Sequence, residues 1–293
     1  MSKKRLDVNW SEVTQPATDF KRLLVRYKNY LKEIGLRDST IESYVGCVGR
    51  YLEFAQTDRP SAEDSGRFRE LLHERGLSRS TINNYSFGIQ NYHKMFGESV
   101  TIQFLKENEH IPYYFDEDDV LRVFSVCHNI KHLAMLQTLF YGCLRASELC
   151  HLDDGDIDLK NLTIRVREGK GGKDGIVFIS NECATILKRY LEIRPPLEID
   201  GNYPLFYTDF GKRWDRKDVY RMFITYKKKA GIEKTGGVHV FARHTPATIM
   251  IAKGCDIRIV KEVLRHRDIR TTLRYAHVAD KTKRERYEQY LVL

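Results

Sequence analysis

The chain has 293 residues and a mass of 34.4 kDa, with 49 Lys and Arg against 40 Asp and Glu, a formal charge of +9 and a pI near 9.1. Hydrophobic residues at 42% suffice for a buried core and 30% charged residues describe a solvated surface, which excludes a wholly disordered chain and allows two domains. No run approaches the roughly 18 apolar residues of a membrane span, and Met1 to Arg5 are not followed by an apolar signal core, so a cytoplasmic location and no membrane partner are expected.

The first 17 residues show no periodicity and read as an N-terminal arm. From residue 18, helical spacing begins: Phe20, Leu23, Leu24, Tyr27, Leu31 and Ile34 form one stripe that Gly35 stops. Ser39 and Glu42 suggest a capping box for a second helix, with Ile41, Tyr44, Val45, Val48, Leu52 and Ala55 as its apolar side. Phe68, Leu71 and Leu72 mark a third helix, and Ile82, Tyr85, Ile89, Tyr92 and Phe96 a fourth. An internal echo, G-L-x-x-S-T-I-x-x-Y, starts at Gly35 and again at Gly76. It places Ser39, Thr40, Ser80 and Thr81 at helix starts, where hydroxyls and free N–H groups cap the helix or hold a phosphate.

Residues 99–112 lack a clear period and read as a linker, which makes 18–98 an all-α domain. A second domain, 113–293, follows. Asp116 to Asp119 suit a helix N-terminus and Leu133 to Cys143 a buried helix. Leu162, Ile164 and Val166 then alternate with polar residues, and Ile176 to Ile179 follow a Gly-rich turn, which predicts a β-hairpin. Helices are expected after Ser180, from Asp215 to Ala230, and from Thr245 onward. The fold class is therefore mainly α, an all-α N-terminal domain joined to an α+β domain with a small antiparallel sheet.

The six cysteines are scattered, with no C-x-x-C and no histidine pair at zinc-ligand spacing, so reduced core thiols and no metal site are expected. Charge is uneven: 17 basic and 15 acidic residues precede position 110, and 32 and 25 follow. Between Lys253 and Arg286, eleven Lys or Arg face five Asp or Glu. Such a concentration suits a polyanion, nucleic acid first, or simply a solvated face. Ile257, Val260 and Leu264 share one helical face there, and Arg258, Lys261 and Arg265 another.

Further cations stand beside structural punctuation. Arg145 lies in Leu144-Arg-Ala-Ser-Glu-Leu149, and Lys170 and Lys173 in the turn Gly169-Lys-Gly-Gly-Lys-Asp-Gly175. Arg243 lies in His239-Val-Phe-Ala-Arg-His-Thr245, His266 follows Leu264-Arg, and Tyr275 belongs to Thr271-Thr-Leu-Arg-Tyr-Ala-His277. Singly, each has a structural explanation: a tyrosine among 17 is commonly packing, and Arg145 could cap a helix. Their joint order and spacing resemble the tyrosine recombinases, the family of phage integrases and Xer-type site-specific recombinases. The resemblance spans nearly the whole chain, with an L-R-x-S-E-L box, a G-K-G-x-K hairpin, an R-H-T-x-A-T box and an L-x-H…T-T-x-x-Y-x-H box.

The resemblance implies a core-binding, SAM-like helical domain and a catalytic domain that cleaves and rejoins double-stranded DNA through a 3′-phosphotyrosine. In that scheme Tyr275 is the nucleophile, and Arg145 and Arg243 neutralise the pentacoordinate phosphorane, as bidentate guanidinium groups can. Lys170, with Lys173 as substitute, protonates the leaving 5′-oxygen. His239 and His266 assist and Glu148 supports, while Arg265, which departs from the family, either adds a DNA phosphate contact or crowds the site. The phosphotyrosine keeps the bond energy, so neither nucleotide nor metal is needed. The resemblance also implies a tetramer on synapsed DNA, possible as a monomer when free, with the tail anchors Tyr287, Tyr290 and Leu291 reaching a neighbouring copy. A type IB topoisomerase-like enzyme and a DNA-binding protein without chemistry are the competing readings.

Four positions depart from the family pattern. Val240 stands three residues before Arg243, where a histidine is usual; either that role is lost, or one residue such as Ala242 is inserted and His239 reaches the site through a bulge. Pro246 replaces an aromatic residue and suggests Thr245 as the cap of a later helix. Cys143 and Arg265 each replace a glycine.

Overall fold

The computed structural model describes residues 20–106, 112–167, 174–276 and 287–288. The expected arm at 1–17, the turn carrying Lys170 and Lys173, and the tail anchors Tyr290 and Leu291 lie outside them. The chain divides into two compact units, Met1–Asn108 and Glu109–Leu293.

The first unit is helical: α1 (Lys21–Glu33), α2 (Asp38–Ala55), α3 (Ala62–Glu74) and α4 (Arg79–Lys94). Two apolar clusters hold it together. Tyr27, Leu31, Ile41, Val48, Leu52 and Tyr92 form one, and Tyr51, Phe68, Leu72, Ile82, Tyr85 and Ile89 the other. Buried hydroxyls find acceptors, as burial requires: Tyr27 Oη donates to the Gly88 carbonyl at 2.7 Å.

Two details differ from expectation. The second helix starts earlier than a Ser39 cap would have it: Arg37 is the N-cap, without a side-chain bond, and Ser39 and Thr40 ride in the first turn. In the echo of this motif Ser78 is the cap, its Oγ accepting from the Thr81 N–H at 3.2 Å. The expected linker is also partly structural. Val100, Ile102 and Leu105 pack on the second cluster, and the Asn83 amide clamps Leu105 by two bonds of 2.8 Å. Apolar residues spaced irregularly along a strap carry no period, which is why sequence reads them as linker.

The second unit opens with α5 (Glu117–Ser125), capped by the Asp116/Asp119 box, and α6 (Ile130–Tyr141). A short α7 (Ala146–Cys150) and a 3₁₀ turn (Asp154–Asp156) lead to a three-stranded antiparallel sheet of β1 (Ile157–Asp158), β2 (Thr163–Val166) and β3 (Gly175–Phe178), in that order. Ile164 pairs with Val177 and Val166 with Gly175, so Ile164, Val166 and Val177 all face the core. β1 was not expected; two residues are too few to show alternation. Then come α8 (Asn181–Ile193), α9 (Arg216–Lys229), α10 (Thr245–Ala252), α11 (Ile257–Val263) and α12 (Arg270–Leu273). The unit is thus mainly helical around a small antiparallel sheet. All six cysteines are free thiols, five of them buried. Among the described residues no helix is long and apolar enough to cross a membrane, and no group of three or more His, Cys, Asp or Glu could hold a metal ion.

Candidate active site

Four separated segments of the second unit supply the predicted residues. The first is the turn after α6. Cys143 takes a left-handed backbone, φ 47°, at the position where a glycine was expected, and its carbonyl points back into the unit. Arg145 then caps α7. Its N–H and its Nη1 both bond the Glu148 carboxylate, at 2.8 and 2.5 Å, so the helix start and the guanidinium share one anion.

The second segment answers the spacing question around Val240. A π-helical turn runs from Val240 to His244, with the Thr245 N–H bonded to the Val240 carbonyl. A π turn accommodates one extra residue inside a helix, so the backbone here has the form an insertion demands. His239 begins this turn, and its ring meets that of His244 edge-on at 5.0 Å. Thr245 is not a cap. It continues the helix, and its Oγ1 accepts from the Phe115 N–H at 3.0 Å, while Pro246 occupies the first turn of α10. Proline has no N–H and so adds no bond of its own to the ladder where the π turn gives way to α10.

Arg243 is 2% exposed and donates to two carbonyls, Cys143 O at 2.5 Å and Leu264 O. Desolvation, reinforced by the nearby Arg145 charge, lowers it to about 10, so it stays cationic at neutral pH. Arg243 therefore ties the turn after α6 to the third segment, the end of α11.

In that third segment Arg265 differs from expectation. It does not share the exposed face of Arg258 and Lys261. The chain leaves α11 at Leu264, and Arg265 takes φ 53° and turns inward, its Nη2 on Glu148 at 2.5 Å. Its stem lies over Gly175, where a Cβ would come within 2.7 Å of Arg265 Cδ. A helical wheel cannot foresee this, because the helix stops one residue earlier. Its Nε and Nη1 are buried without partners among the described residues, and desolvation lowers its pKa. His266 is fixed by Thr272, whose Oγ1 lies 2.8 Å from Nδ1; burial first, then Arg243 and Arg145, bring it to about 3.

The fourth segment brings Tyr275, 2% exposed, its pKa raised by burial against the lowering pull of Arg243 and Arg274. Its Oη lies 2.5 Å from His244 Nδ1. His244, not singled out from the sequence, is brought to about 4 by burial, then by His239, Arg274 and Arg243. His239 is lowered by the same burial and by Arg243 and Arg145. Arg145, Glu148, His239, Arg243, Arg265, His266 and Tyr275 are thus gathered in one basin. Ser39, Thr40, Ser80 and Thr81 belong to the first unit, where Ser39, Ser80 and Thr81 are exposed and Thr40 is half-buried. Lys170 and Lys173 fall outside the described residues.

Comparison with known proteins identifies the family. The phage integrase family model matches residues 113–282. The chain is 32% identical over 276 residues to tyrosine recombinase XerA of Pyrococcus horikoshii, covering 91% of this chain and 93% of the relative. Among solved structures, XerA recombinase is 31% identical with a TM-score of 0.56, over 93% of this chain and 99% of that one. The Tn1549 transposon integrase in complex with transposon right end DNA shares the fold at a TM-score of 0.72 and 20% identity, over 92% and 99% of the two chains. Two cationic side chains, a histidine cluster and a buried tyrosine in this order and on this fold place the chain in the phage integrase family, the tyrosine recombinases.

Proposed function

We infer that this chain is a site-specific DNA recombinase whose nucleophile is Tyr275. The observation that carries the reading is the convergence on Arg243: its charge acts on His239, His266 and Tyr275 together, and it sits beside Arg145. A phosphodiester entering this basin would meet two guanidinium groups, which offset the charge that develops on the phosphorane. Both are held by protein acceptors, Arg145 by Glu148 and Arg243 by backbone carbonyls, which fixes their positions. Tyr275 forms the phosphotyrosine, His266 and His239 contact the phosphate or steady the tyrosine, Glu148 orients Arg145, and Lys170, with Lys173 in reserve, protonates the 5′-oxygen.

The first unit is the core-binding domain. The exposed hydroxyls at the starts of α2 and α4 supply backbone contacts that position the duplex and do not read sequence. The working assembly is a tetramer on two duplexes. Its support in this chain is an apolar cleft of about 730 Å³ lined by Phe140, Phe178, Ile249, Met250, Ile259 and Val263, suited to the apolar tail of another copy.

The test is direct. Supercoiled plasmid and genomic fragments are incubated with the protein in EDTA, and covalent protein–DNA adducts are scored. Wild type is expected to leave a 3′-phosphotyrosyl adduct; Tyr275→Phe, which lacks the attacking oxygen, is expected to leave none. An adduct of equal yield in Tyr275→Phe would remove the assignment.

A further inference from the structure

A nucleophilic phenol needs a group to take its proton, since its ordinary pKa is about 10. Geometry comes before pKa in finding that group, and the heavy-atom reach is about 2.6–3.2 Å. Neither His239 nor His266 is hydrogen-bonded to Tyr275 among the described residues; His266 spends Nδ1 on Thr272. His244 meets Tyr275 Oη at 2.5 Å, ring to ring at 5.6 Å.

We propose that His244 Nδ1 accepts the phenolic proton of Tyr275 during strand cleavage and returns it during rejoining. The proposal rests on the reading of Tyr275 as nucleophile. It requires the Nε2–H tautomer, so that the phenol donates and Nδ1 accepts.

The surroundings make this acceptor dependent on substrate. Facing His244 are His239 and Arg243 from the π turn, Arg274 and Tyr275 from the segment after α12, and His266 from the loop after α11. No carboxylate acts on it in this set, so the imidazole is kept neutral and free to accept. For the same reason the proton stays on the phenol until opposing negative charge is brought into the basin. A phosphodiester brings one negative charge into the basin and the phosphorane a second, and that charge favours an imidazolium beside it. Proton transfer is then coupled to phosphate arrival.

The step balances. The Tyr275 O–H bond breaks and an N–H bond forms at His244 Nδ1; the phenolic oxygen forms the O–P bond as the P–O5′ bond breaks. The departing 5′-oxygen takes its proton from a separate donor, the role proposed for Lys170. On rejoining, the 5′-hydroxyl returns its proton to the Lys170 amine as its oxygen attacks phosphorus, the P–O bond to Tyr275 breaks, and His244 gives its proton back to the phenolic oxygen.

The test uses full-length His244→Gln and His244→Ala on a DNA fragment that wild type cleaves, and on the same fragment with a 5′-bridging phosphorothiolate at the cleaved bond. Melting temperature and DNA affinity check that both variants fold. Adduct formation is expected to slow by about 10²-fold or more in both, and to recover as pH rises and hydroxide replaces the base. The sulfur leaving group needs no proton, so it is expected to rescue Lys170→Ala and leave the His244 variants slow. Nitrogen-15 spectra of the free protein are expected to show Nδ1 of His244 unprotonated. His244→Gln within threefold of wild type, rescue of the His244 variants by phosphorothiolate, or a protonated Nδ1 would each overturn the proposal. Absence of any adduct with wild type on plasmid and genomic fragments would instead remove the nucleophile reading beneath it.

Discussion

Arg265 stands where the backbone is left-handed, a conformation that costs a side-chain-bearing residue about 1–2 kcal/mol and glycine almost nothing. The cost is offset by the bond to Glu148, which also receives Arg145. The two terms can be separated. Arg265→Ala keeps the strain and loses the ion pair, whereas Arg265→Gly loses both. Arg265→Gly is therefore expected to melt about 2–8 °C above Arg265→Ala in thermal unfolding; equal melting would mean the backbone there is not strained. At this scale the sequence was legible wherever a residue's role follows from chain order. Arg145, Arg243, His266 and Tyr275 were singled out through the family resemblance of the boxes that hold them, and the structure gathers them in one basin. His244 was not legible because its partner is 31 residues away and its direction depends on a π turn. The signal was present in hindsight: an extra residue between His239 and Arg243 puts two histidines five apart, and a π turn sets such residues side by side.

Among elements, that turn is the one with mechanical content. If it exists to absorb one inserted residue, deleting Val240 should convert it to an ordinary helical turn and leave His239 three residues before Arg243. The deletion variant is expected to fold and to keep at least about a tenth of the adduct-forming rate, a loss of no more than about 1.4 kcal/mol of transition-state stabilisation. A second insertion beside Ala242 should abolish the reaction by turning His239 away. Comparing both rates with wild type checks the idea. The sheet gives a plainer prediction. Ile164 is fully buried on the central strand, and Ile164→Ala should cost about 2–5 kcal/mol in denaturant unfolding. Helices with strong stripes were legible because period and burial coincide, as at Tyr27, Leu31, Val48 and Leu52. The strap from Val100 to Leu105 was not, since its contacts are set by the shape of the surface it crosses.

For the whole molecule, the histidines of the basin set an acid limit on stability. Each has an ordinary value of 6.5; His244 falls to about 4 and His266 to about 3 in the folded state, and His239 is lowered as well. Between those values the unfolded chain binds protons that the folded chain refuses. Their contribution is complete above about pH 6.5 and is lost progressively as pH falls through about 4 and then about 3. Melting temperature measured from pH 7.5 to pH 4.5 should drop, and replacing His266 with Gln should flatten the drop. Duplex binding should weaken steeply as salt rises from 50 to 200 mM, because phosphate contacts release counterions.

The bonds that build the basin join residues far apart in the chain: Arg243 to Cys143 across 100 positions, Arg265 to Glu148 across 117, and Thr245 to Phe115 across 130. Synthesis runs from the N-terminus, so the first unit and its exposed hydroxyls emerge and fold well before the segment holding Arg265 and Tyr275 leaves the ribosome. On the proposed reading of the first unit as the core-binding domain, a growing chain would hold DNA before it could cut it. The order of translation by itself would then keep an unfinished enzyme from breaking the strand it touches.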